Sequence, residues 1–217
     1  MSVDPETLRQ IEALSLDTRP LLVLDVDDVV LEFIRPFPRF LAANGYELRL
    51  ESFRLNGNVR DRATGKPAPR EQVGELLGAF FDAQAEWQTL TDGVADTIAG
   101  FADDAEIVML TAMPHRHRAI RRAHLDRLGL HCPLVTTEMA KGPAIRRLRG
   151  QSDRPVAFVD DLPHNLVSAR DSVFDAHLFH LMADNSVRAL LPQPPDDVVM
   201  LDNWRKARLP IAAALGL

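Results

Sequence analysis

Leu21-Leu22-Val23-Leu24-Asp25-Val26-Asp27-Asp28-Val29-Val30 is an apolar run that ends abruptly in carboxylates. Four consecutive aliphatic residues predict a strand buried on both faces, as in a parallel sheet. Side chains alternate along a strand, so Asp25 and Asp27 project the same way from its carboxyl end. Open α/β sheets keep their ligand sites at that edge. Two carboxylates held so close repel each other, and a raised pKa or a bound cation relieves the repulsion. The plainer alternative is an acidic strand-to-loop turn with Asp28 as a cap.

A second element of the same form favours a site. Val156-Ala157-Phe158-Val159-Asp160-Asp161 is again an apolar strand followed by adjacent acids. In a parallel sheet both strands end at one edge, which predicts a cluster of Asp25, Asp27, Asp160 and Asp161. Hard oxygen ligands of this kind suit Mg²⁺, which takes one or two carboxylates directly and keeps waters that a phosphate displaces. Between these elements, Glu106-Ile107-Val108-Met109-Leu110-Thr111 is another buried-strand pattern, closed by a hydroxyl. Lys141 opens the helical stretch Gly142-Pro143-Ala144-Ile145-Arg146-Arg147-Leu148.

The order Asp-x-Asp, Thr after a strand, Lys, and Asp-Asp after a strand resembles the haloacid dehalogenase superfamily. The likeness covers roughly residues 20 to 30 and 106 to 182. It implies Asp25 as nucleophile and Asp27 as general acid and base. Thr111 would hydrogen-bond the transferring phosphoryl group, and Lys141 would neutralise charge on nucleophile and phosphate. Asp161 matches a direct metal ligand, and Asp160 a neighbour that holds metal-bound water. Asn165 stands where many members carry another acid. An acid at the Asp27 position marks phosphate-handling members and argues against dehalogenation. Receiver domains of two-component signalling combine similar residues, but there the lysine comes last, whereas Lys141 precedes Asp160-Asp161.

These residue types suit phosphoryl transfer, which is largely positioning plus neutralisation of charge on the phosphoryl oxygens. A carboxylate attacks phosphorus only if its charge and the phosphate's are offset, and Mg²⁺ with Lys141 would supply that offset. The expectation is a Mg²⁺-dependent phosphatase acting on a small phosphorylated metabolite through an aspartyl-phosphate. A phosphotransferase or mutase on the same residues is the alternative, and a non-catalytic binding protein of the same fold is a further one.

The 217 residues suffice for one core plus an insertion, and 46% hydrophobic content argues against disorder. The net charge of −6 gives no sign of a nucleic-acid partner. Cys132 is the only cysteine, so no internal disulfide is expected and a reducing compartment is. With no signal-like amino terminus and no bilayer-length apolar stretch, the expectation is a cytoplasmic protein without membrane contact. Its oligomeric state is not legible.

Elsewhere, Asp4-Pro5-Glu6 starts a short helix with Leu8, Ile11 and Leu14 on one face. Pro114 begins a helix that Gly129 closes, Pro133 to Thr136 reads as a short strand, and Ala176 to Leu181 as the last core strand. Alternating strands and helices indicate right-handed parallel crossovers. The resemblance implies a Rossmann-like three-layer sheet in the order 5-4-1-2-3, with a catalytic core of residues 1–30 and 91–217. Residues 31–90 would form a mainly helical cap that closes over the site. Phe33 to Ala43 reads as helical, and Asn56 to Pro69 is polar and turn-rich. Val73, Leu76, Leu77, Phe80 and Phe81 recur at helical spacing, so a helix is expected to about Trp87. Arg35, Arg39, Arg54, Arg60, Arg62 and Lys66 are candidate contacts for an anionic substrate, while the phenylalanines read as cap core. His115-Arg116-His117-Arg118 begins four residues after Thr111. Surface placement is its default, and contact with substrate a secondary expectation.

Overall fold

The computed structural model describes residues 2–15, 17–52 and 54–217. In chain order the elements begin with α1 (Pro5–Glu12), β1 (Leu21–Leu24), α2 (Pro36–Ala43), β2 (Tyr46–Leu48), β3 (Val59–Asp61), α3 (Arg70–Asp82), α4 (Gln84–Trp87) and α5 (Val94–Ala99). There follow β4 (Glu106–Thr111), α6 (Arg118–Arg127), β5 (Leu134–Thr136), α7 (Lys141–Arg149), β6 (Val156–Asp160), α8 (Pro163–Ser172), β7 (His177–Leu181), β8 (Val199–Leu201) and α9 (Trp204–Leu215).

Six strands lie parallel in the order β5-β4-β1-β6-β7-β8. Numbered within this sheet alone and read from the β8 edge, the order is 6-5-4-1-2-3, which contains the 5-4-1-2-3 that the resemblance implies. The sheet then continues through a sixth strand, so the strand at 177–181 is not the last. This β8 lies in the apolar run Val198-Val199-Met200-Leu201, which follows the proline-rich Pro192 to Pro195 and falls outside the five-strand order that the resemblance implies.

Strand β1 is central: Leu22 lies opposite Ile107 on one side and Ala157 on the other. Alternation sends its side chains to two separate cores. Leu22, Leu24, Ile107, Met109 and Val159 pack with Ile98 of α5, Leu125 of α6 and Trp204 and Ile211 of α9. Leu21, Val23, Val108, Leu110 and Phe158 pack with Ile11 of α1, Ile145 of α7 and Leu166 of α8. Each fully buried aliphatic side chain contributes about 1.5–3 kcal/mol. Covering both faces is what makes the strands read as unbroken apolar runs.

Residues 31–90 leave and rejoin the sheet through a narrow neck. Leu31 and Leu90 form an antiparallel bridge, and the Glu32 and Thr91 N–H groups donate to the Thr89 and Val30 carbonyls, each at 2.9 Å. Beyond the neck, Phe37, Phe40, Leu41, Val59, Val73, Leu76 and Phe80 bury one another in a core of their own, joined by Met113 from the loop after β4. Phe80 meets the rings of Phe37 and Phe40 edge-on at 5.1 and 5.4 Å. Helices dominate this segment, yet β2 and β3 pair as an antiparallel ribbon within it. With only three residues each, these strands offered no readable alternation. The helix expected to reach Trp87 breaks at Ala83 into α3 and α4. Among the described residues, no helix is long and apolar enough to cross a membrane.

Candidate active site

The carboxyl ends of β1, β4 and β6 and the amino end of α7 meet at one edge of the sheet. The Asp25 N–H donates to the Val159 carbonyl at 2.9 Å, which extends the ladder by one residue. Asp25, Asp160 and Asp161 are all buried, with one carboxylate oxygen of each within 4.8 Å of the others. Asp28 turns the chain sharply with φ of 61°, a left-handed conformation that Asp tolerates better than most residues. Its carboxylate accepts from the N–H groups of Phe33 and Ile34 at 3.2 and 3.1 Å and so anchors the neck. Burial raises its pKa to about 6, against the pull of those N–H donors.

Lys141 is the first residue of α7 and is 1% exposed, so its ammonium has no water to rely on. It donates to Asp25 and, at 2.7 Å, to Asp160. Burial opposes its charge, but Asp160 and Asp25 outweigh burial and hold its pKa above the ordinary lysine value. Its position depends on Gly142. A Cβ there would lie 1.9 Å from the Ser168 carbonyl oxygen, so only glycine lets α7 approach α8 this closely. Asp160 also accepts from the Leu162 N–H at 2.8 Å and from Asn165 Nδ2 at 3.0 Å. Asn165 thus serves as a donor that holds Asp160, which an acid at that position could not do when ionised.

Asp27 faces a different set of partners. Its Oδ1 accepts from Gln88 Nε2 and from Arg121 Nη2, both at 2.9 Å. Arg121 is fully buried and also donates to Gln88 Oε1 at 3.1 Å. Gln88 in turn donates to the Glu32 carbonyl at 3.1 Å, so it ties the neck to Asp27. The acidic group of three does not include Asp27, which the sequence had placed among the metal-binding acids. Neither Arg121 nor Gln88 stood out in the sequence. The available signal was that Arg121 lies four residues before Leu125, on the inward stripe of an otherwise charged helix.

A cavity of about 400 Å³ opens above these groups, lined at its floor by Asp25, Asp27, Thr111, Lys141, Asp161 and Asn165. Thr111 closes β4, and its Oγ1 accepts from the Met113 N–H at 3.3 Å. Of the basic cap residues named from sequence, Arg54 alone lines this cavity. Arg35 pairs with Glu32 and Asp184. Phe33 and Phe81 pack against the cap core and line the cavity as well. None of the run from His115 to Arg118 reaches it. His115 is held by Thr136 Oγ1 at 2.7 Å and Asp4 Oδ1 at 3.0 Å, His117 by Asp82 at 2.9 Å, and Arg118 by the Leu134 carbonyl. These contacts tie the segment to β5, α3 and the start of α1 and leave the substrate expectation without support.

The acids fit a hard divalent cation. Burial raises the Asp161 pKa well above the carboxylate range, and the charges of Asp160 and Asp25 add to it. Asp25 is raised to about 7, again mainly by burial, with Lys141 pulling it down. A cation among three buried carboxylate oxygens would relieve that repulsion.

No protein-family model matches the chain, and no curated protein does. Solved structures do. A haloacid dehalogenase-like hydrolase from Streptococcus pneumoniae is 13% identical with a TM-score of 0.59, covering 90% of this chain and 98% of its own. A protein described as a predicted phosphoglycolate phosphatase from Haemophilus somnus is 12% identical with a TM-score of 0.60, over 90% of this chain and 100% of its own. A protein provisionally named a β-phosphoglucomutase from Thermotoga maritima is 13% identical with a TM-score of 0.58, over 89% and 99%. The chain therefore has the haloacid dehalogenase-like fold.

Proposed function

We propose that this protein is a Mg²⁺-dependent phosphatase that hydrolyses a small phosphorylated metabolite through an aspartyl-phosphate. The observation that carries the reading is the meeting of Asp25, Lys141, Thr111 and Asp161 on the floor of one cavity, with Asp27 held at its side. Asp25, Asp160 and Asp161 would hold Mg²⁺, which when bound supplies Lewis-acid neutralisation of phosphoryl charge. The ammonium of Lys141 offsets charge on Asp25 and on the incoming phosphate. The Thr111 hydroxyl donates to a phosphoryl oxygen. An Asp25 oxygen attacks phosphorus in line, and the bond from phosphorus to the leaving oxygen breaks. Asp27, protonated at this point, gives its proton to that oxygen. In the second half Asp27 takes a proton from water, whose oxygen attacks phosphorus and releases phosphate and free Asp25. Arg121 and Gln88 aim the Asp27 carboxyl throughout.

The similarity to a protein named as a phosphoglucomutase keeps phosphate transfer to a second hydroxyl as the other reading. With Cys132 as the only cysteine no internal disulfide can form, and we read the enzyme as cytoplasmic. Phosphate release from a panel of phosphorylated metabolites, with Mg²⁺ or with EDTA, tests the proposal. Release that requires Mg²⁺ and disappears in Asp25→Asn is expected. Release that survives in Asp25→Asn overturns the covalent route, and an isomerised ester without free phosphate establishes the mutase.

A further inference from the structure

The wall of the cavity differs sharply from its floor. Phe33 at the neck, Leu48 of β2, Leu50 and Leu55 of the following loop, and Leu77 and Phe81 of α3 converge above the carboxylates. Most of these are only half-buried, whereas Phe37, Phe40, Val73 and Phe80 are packed away inside the same segment. Helical spacing explains the division along α3. Val73, Leu76 and Phe80 turn to the cap core, and Leu77 and Phe81 lie on the side that meets the cavity. Apart from Arg54, which is exposed, this segment adds no charged side chain to the cavity. An alcohol rich in hydroxyls would shed its water there for few partners beyond Arg54, which costs affinity. An apolar alcohol would instead cover the half-buried leucines, gaining roughly fourfold in affinity per buried methylene.

Resting on the phosphatase reading above, we infer that the substrate is a phosphate monoester of an apolar alcohol, with an alkyl, isoprenyl or aryl body, and not a sugar or hydroxy-acid phosphate. The phosphate meets the polar floor, and the hydrocarbon fills the chamber beneath the cap.

Two measurements test this together. The first is calorimetric binding of hexylphosphonate and of methylphosphonate to the wild-type protein in Mg²⁺, which needs no turnover. The second is kcat/KM for hexyl phosphate against glycerol 3-phosphate, in wild type and in Leu77→Asn. At least about 30-fold tighter binding of hexylphosphonate is expected, a matching preference in kcat/KM, and about a tenfold loss of both in the variant. Binding within about threefold for the two phosphonates overturns the inference, whatever the variant does. Asp25-dependent release that favours glycerol 3-phosphate overturns it too and leaves the phosphatase reading standing. Preferential binding of hexylphosphonate with no hydrolysis of any ester supports the apolar chamber and removes the phosphatase.

Discussion

Replacing Lys141 with methionine keeps most of the stem's bulk and removes the ammonium paired with Asp25 and Asp160. Three buried carboxyls then share the cluster without it. Without the ammonium, Asp25 and Asp160 stay buried with no cation between them, so one of the two takes up a proton that the ion pair keeps off it. Holding a carboxyl of ordinary pKa protonated costs about 4 kcal/mol at pH 7 and about 1.5 kcal/mol at pH 5. The unfolded chain bears no such cost. The variant should therefore lose about 4 kcal/mol of stability at pH 7, within the range of roughly 3–5 kcal/mol for breaking a buried ion pair. The sign follows from linkage. A carboxyl whose folded pKa is raised loses stability as pH rises, so the deficit against wild type shrinks by about 2–3 kcal/mol on going to pH 5. Urea unfolding at pH 5, 6 and 7 in EDTA, followed by fluorescence of the buried Trp204, measures it. A loss below about 1 kcal/mol at pH 7, or one that does not change with pH, refutes the reasoning. Adding Mg²⁺ at a hundred times its dissociation constant should return about 2.7 kcal/mol.

Gly142→Ala drives a Cβ into the Ser168 carbonyl and should destabilise the fold by about 3 kcal/mol or leave the protein insoluble, as urea midpoints or soluble yield will show. Arg121→Met frees Asp27 from its buried guanidinium and should lower kcat by about 10- to 100-fold while KM shifts less than about threefold. Steady-state kinetics alongside circular dichroism check this, and an equal kcat in a folded variant would remove Arg121 from the site. His124 is buried, and burial lowers its pKa while its ring bonds the Gln88 carbonyl. Its folded pKa lies below the unfolded value, so its stabilising effect is complete above that value and is lost as pH falls through it. His124→Gln should therefore raise the urea midpoint at pH 5 relative to that at pH 7, compared with wild type.

The elements of the candidate site were legible because each joins a local signal to a chemical one. An apolar run marks a strand buried on both faces, and an acid or hydroxyl at its end marks the edge where side chains converge. Asp25, Thr111, Asp160 and Asp161 carried that signature, and Lys141 stood out only through its place in their order. Residues that act by holding another group carried none. Asn165 acquires its role by donating to Asp160, Gly142 by letting two helices touch, and Arg121 and Gln88 by reaching Asp27 from segments 94 and 61 residues away in sequence. The ribbon of β2 and β3 was too short for its side chains to show a period, and the run Val198 to Leu201 that forms β8 lay outside the five-strand order that the resemblance implies. The cap phenylalanines and leucines looked alike as letters. Packing alone decided which of them fill a core and which face the cavity, because helical spacing fixes the angle between two residues but not what lies opposite either one. By itself, then, the sequence determined five strands of the sheet and the acids and hydroxyl that end them, while their order followed from the resemblance. The tertiary structure decided how Asp27 is aimed, what holds Lys141 and how apolar the chamber is, since each depends on contacts between segments that no local pattern encodes.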